Sequence, residues 1–90
     1  SRDLQAAYEN LSASREEFLA LRDSILPSAE SAYNAASKGF EMGKFSFLEV
    51  LDAQRTLFDA MAQSQQSLAQ SHRYAAELQG ILGQTPANIQ

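Results

Sequence analysis

The sequence contains no cysteine. That excludes disulfides and thiolate metal ligands, though it does not fix a compartment. β-Branched residues are scarce, with one valine (Val50), two threonines and three isoleucines, which argues against strands. No apolar run approaches the ~20 residues that a helical membrane span requires. Basic residues number seven and lie scattered along the chain. With a net charge of −4 they form no patch suited to nucleic acid. A single histidine, His72, has no second donor one helical turn on, so neither a metal site nor a cofactor is expected. No nucleophile–base pair, phosphate loop or catalytic acid pair is present, and no enzymatic activity is expected. The opening SRDLQAAYEN carries no signal-peptide pattern. That start and the trailing GQTPANIQ lead us to expect a segment of a longer protein. Ninety residues make at most one small domain, short for a self-sufficient core.

What is present is a helical composition, rich in alanine, leucine, serine and glutamine. Leu4, Leu11, Phe18, Ile25, Ala32 and Gly39 recur every seven residues, with Ala7, Ser14, Leu21, Ser28, Ala35 and Met42 three positions on. A second array starts at Phe47 and runs through Gln54, Met61, Leu68, Ala75 and Leu82, joined by Val50, Leu57, Ser64, Ser71 and Leu78. Sustained seven-residue spacing is the signature of a coiled coil. Between the arrays, Gly43 suits a left-handed helix stop. Ser46 followed by Glu49 reads as a capping box, and Phe45 with Val50 as its hydrophobic staple. Gly83 and Pro86 supply a second stop.

A short linker requires antiparallel neighbours. The expected fold is therefore all-α, an antiparallel two-helix coiled-coil hairpin. Its helices cover about residues 3–42 and 47–82, its turn 43–46 and its tail 83–90, with arms roughly 55–60 Å long. If Met42 faces Phe47, then Leu21 faces Leu68, Phe18 faces Ser71 and Leu11 faces Leu78. Most layers then match a large residue with a small one. Pro27 predicts a kink or loosened turn, and a complete break stays open.

Apolar residues also lie off the seam. Leu19, Leu26, Tyr33 and Phe40 form a second stripe on the first arm, while Leu51 and Phe58 flank the seam of the other. This fits either a wide core or hairpins standing side by side in a bundle or helical barrel. Gln63, Ser67 and Gln70 suggest a wetted face. Arg55 and Asp59 are spaced for an intrahelical ion pair, and Gln54 for a bond across the seam.

The region YNAASKGFEMGKFSFLEVLDAQRTLFDA combines Phe40, a glycine three residues later, a short turn and the helix start Leu48 to Gln54. It resembles the TolC-like outer membrane factors of bacterial tripartite efflux systems, in the CzcC-like branch associated with heavy-metal export. The resemblance extends over about residues 20–83. It implies one periplasmic hairpin from a trimeric α-helical barrel in a Gram-negative outer membrane protein, with cobalt, zinc or cadmium as cargo. The implied partners are a periplasmic adaptor hairpin, two further copies of the parent, and indirectly an inner-membrane pump of the RND type. Gly43, Lys44, Phe45 and Ser46 would be the adaptor-docking tip, and Asp52, Glu49 and Phe40 the pore entrance or gate. Structural roles stand beside these: Gly43 as a turn residue, Phe45 as a staple, Glu49 as a cap and Phe40 as packing. An adaptor hairpin and a scaffolding coiled coil are the alternative identities.

Overall fold

The computed structural model describes residues 2–84. The first arm begins with α1 (Arg2–Ala20), passes through a π-helical turn (Leu21–Ile25) and continues as α2 (Leu26–Glu41). The second arm is a single helix, α3 (Phe47–Gly83). The arms pack antiparallel into a rod of 72 × 19 × 14 Å, with no strand among the described residues. No helix among the described residues is long and apolar enough to cross a membrane. Pro86 lies outside the described residues.

At the interruption ahead of Pro27, the Leu26 amide donates to the Leu21 carbonyl, five residues back, while Pro27 opens α2. Proline has no N–H to give, and its ring would crowd the Asp23 carbonyl in a regular α-helix. A widened turn relieves both conflicts. The chain loosens there and does not break.

That turn holds one extra residue and corrects the register read from the heptads. Before it, Ala7, Ser14 and Leu21 are buried, as the spacing predicts. Beyond it the buried positions move on by one, to Ala29 and Ala36, flanked by half-buried Leu26 and Tyr33. Ile25, Ser28, Ala32 and Ala35, expected in the seam, are exposed. The off-seam stripe, which the sequence left open between a wide core and a neighbour-facing side, therefore supplies part of the seam in this half through Leu26 and Tyr33.

On α3, Val50, Ala60, Ser67 and Ser71 are buried. Ser67 was expected on the wet face. Its hydroxyl donates to the Ser64 carbonyl at 3.2 Å, so a small residue enters the interface with its polar atom satisfied. Ser14 does the same to Leu11 at 2.9 Å. Among the described residues four of the six buried apolar ones are alanines, and no large side chain is fully buried. Close approach of the backbones thus comes with a thin core.

Candidate functional site

The end of α2 follows from one residue. Gly43 has φ +74° and is the only described residue with positive φ. Its amide donates to the Phe40 carbonyl at 3.0 Å, and the Lys44 amide to the Gly39 carbonyl at 2.7 Å. These are the two bonds of a Schellman stop, which needs a residue free to adopt the left-handed conformation. The Phe45 amide reaches the same Gly39 carbonyl at 3.2 Å.

α3 starts as firmly. Ser46 is extended, and its Oγ accepts from the Glu49 amide at 3.3 Å. The Ser46 amide donates to Glu49 Oε2 at 2.9 Å, completing the reciprocal capping box. The Glu49 carboxylate is thereby engaged at the positive end of the helix, a favourable place for it. Asp52 is exposed and has no hydrogen-bond or ion-pair partner among the described residues. The two acids are near in sequence but differ in commitment.

Apolar side chains collect around this turn. Met42, Phe45, Phe47 and Leu48 are all exposed, Leu48 to 65%. The Phe40 and Phe47 rings meet across the tip at 5.4 Å between centroids, tilted by 53°. Phe40 is paired but remains accessible. Lys44 is exposed at the crown. The four expected tip residues, Gly43 to Ser46, therefore form one hydrogen-bonded turn, with Phe40 and Glu49 tied into it and Asp52 standing beyond.

Sequence reasoning missed the role of Gly39, which it placed only in the seam. A β-carbon there would lie 2.6 Å from Cε2 and 2.9 Å from Cγ of Phe45. Phe45 thus folds back over the end of α2. The spacing of two glycines four residues apart, with a phenylalanine just past the second, was the signal available.

Further from the tip the two broad faces of the hairpin differ. One carries an open apolar groove between Leu11, Phe18, Leu19 and Leu68, edged by Arg15 and Arg22. The other presents Glu17, Gln63, Gln66 and Gln70. Arg22 also bonds to Asp23 at 2.8 Å and lies 5.7 Å from the centre of the Phe18 ring. That bond, reinforced by the guanidinium charge, holds the Asp23 carboxyl below its ordinary range. It is the only ion pair among the described residues, so Arg55 and Asp59 do not form the pair their spacing suggests. Gln54 is half-buried without a side-chain hydrogen bond. Among the described residues no cluster of three histidines or carboxylates could hold a metal ion.

The family model described as outer membrane efflux protein matches residues 1–84. The chain is 47% identical over 83 residues to the cobalt-zinc-cadmium resistance protein CzcC of Cupriavidus metallidurans. That alignment covers 92% of this chain and 20% of the relative, so the chain spans about a fifth of its length. No solved structure matches the chain significantly. With nearly all of its length matched, the chain belongs to the outer membrane efflux protein family.

Proposed function

We propose that the chain is a periplasmic hairpin of an outer membrane channel that exports heavy-metal cations through a tripartite efflux system. The observation that carries the reading is the family match along residues 1–84 of a chain that clusters exposed apolar side chains, Met42, Phe45, Phe47 and Leu48 among them, at one hydrogen-bonded turn. A docking tip needs that combination. A fixed backbone limits the ordering cost of association, and accessible apolar side chains supply its driving force. Gly43 to Ser46 form the surface that meets the adaptor hairpin. Phe40, packed against Phe47, contributes to holding the tips closed.

The cargo class is supported by the 47% identity to a protein named for cobalt, zinc and cadmium resistance. The hairpin treats such cations by charge and not by coordination, because the described residues offer no metal-binding cluster. Glu49 is engaged in its cap, whereas Asp52, like Glu41 across the turn, is an exposed carboxylate without a partner among the described residues. In a trimer, three copies of Asp52 form a negative ring at the entrance, raising local cation concentration and lowering that of anions. The channel conducts passively. The Gln-rich face suits a wetted wall, and the opposite apolar groove suits a neighbouring hairpin.

Family membership sets the adaptor alternative aside. A scaffolding coiled coil has no reason to carry exposed phenylalanines at its tip. Deleting the full-length protein from its host tests the reading. Cells should accumulate cobalt, zinc and cadmium ions and grow poorly on them, with recovery on re-expression. Unchanged accumulation of all three would refute the proposed cargo.

A further inference from the structure

We propose that Gly39 is a positioning residue for the tip, seating Phe45 and through it fixing how the turn is presented; this rests on the docking role proposed above. Two independent features converge on Gly39. Its carbonyl accepts from both the Lys44 amide, at 2.7 Å, and the Phe45 amide, at 3.2 Å. Its missing side chain leaves the space into which the Phe45 ring folds: Cδ2 lies nearest to where a β-carbon would stand, followed by Cε2 at 2.6 Å and Cγ at 2.9 Å. Separations under about 3 Å are far inside carbon–carbon contact, which is optimal near 3.5–4.0 Å. Phe45 Cγ is among the atoms that clash, so the conflict involves the root of the ring as well as its edge.

A helical glycine is ordinarily a liability, because alanine loses less chain entropy there. Gly39 lies in the last turn of α2 and is buried, yet the space over it belongs to a residue six positions on. A methyl group at 39 drives the ring outward. Because the Lys44 and Phe45 amides bond to that same carbonyl, the backbone between Gly43 and Ser46 loosens with it. Lys44 is then no longer held at one orientation, and the partner meets an ensemble of tips instead of one.

The lock predicts that Gly39 acts only through Phe45. Hydrogen exchange at the Lys44 and Phe45 amides, measured on the full-length protein, reads this without reference to any partner. Gly39→Ala should speed both about tenfold. In the Phe45→Ala background, adding Gly39→Ala should change them less than twofold, because no ring remains to be displaced. Resistance to cobalt, zinc and cadmium ions in cells should follow the same pattern. Gly39→Ala should lower it when Phe45 is present and add nothing to whatever Phe45→Ala does alone. Equal effects of Gly39→Ala in the two backgrounds, or no effect on exchange in either, would overturn the lock. Coupled exchange without coupled resistance would overturn its role in presentation. If the wild-type protein confers no metal resistance while the exchange coupling holds, the export reading fails and the lock stands.

Discussion

Gly43 and Gly80 are two glycines for which the structure predicts opposite responses to the same substitution. A β-carbon at either position meets nothing within 4 Å, so sterics with neighbours are absent from both. The difference is conformational. Gly43 has φ +74°, a region that costs an L-residue roughly 1–2 kcal/mol. Gly80 lies inside α3 with no positive φ, where alanine is better than glycine by roughly 0.5–1 kcal/mol. Gly43→Ala should therefore destabilise the hairpin by about 1–2 kcal/mol and Gly80→Ala should stabilise it by about half as much. For a chain of this size the first corresponds to a loss of roughly 4–16 °C in Tm. Gly43→Asn should fall between glycine and alanine, since asparagine tolerates the left-handed region better. Helix signal by circular dichroism, followed on heating from near 5 °C and in urea, measures all three. Gly43→Ala as stable as the wild type would refute the reasoning, because the turn would then not depend on its left-handed residue.

Other predictions follow from the same geometry. The register shift places Leu26 in the seam while Ile25 is 48% exposed. Leu26→Ala should therefore cost about 1–2 kcal/mol, below the roughly 2–5 of a full core site, and Ile25→Ala clearly less; the reverse order in urea would restore the uninterrupted heptad. Ser46→Ala should cost about 0.5–1 kcal/mol because the cap is exposed, whereas Glu49→Gln, which keeps an acceptor, should cost less than Glu49→Ala. The lowered Asp23 carboxyl contributes stability that is fully present above the ordinary carboxylate range and is lost as pH falls through its depressed folded value. Titration followed by NMR should find Asp23 ionising below that range in the wild type and near it in Arg22→Ala. Asp52→Asn in the full-length channel should reduce cation preference and cation block in planar bilayers, and unchanged selectivity would remove Asp52 from the entrance.

The hairpin was legible in the sequence because its decisive signals are local. Gly43 ends one helix and Ser46 with Glu49 starts the next, and each acts through neighbours within four residues. The seam was legible as far as Leu21 on the first arm, and at Val50 and Ser71 on α3. Past Leu21, a heptad count misses the residue that the π turn absorbs, and between Ile25 and Ala36 the buried positions move on by one. On α3 the buried column of Ala60 and Ser67 was hidden for another reason: small residues pack closely without an apolar signature. The Gly39–Phe45 contact was out of reach of periodicity altogether, since it depends on how the turn folds back. The two acids of the tip divide along the same line. The bonds that make Glu49 a cap are local, whereas the part proposed for Asp52 belongs to an assembly larger than this chain.

The role proposed for this turn is docking. A photo-crosslinking residue placed at position 44 of the full-length protein, in living cells, tests it most directly. A docking tip gives a covalent adduct with a periplasmic adaptor. Adducts confined to unrelated cytoplasmic proteins would contradict it and leave a scaffolding coiled coil.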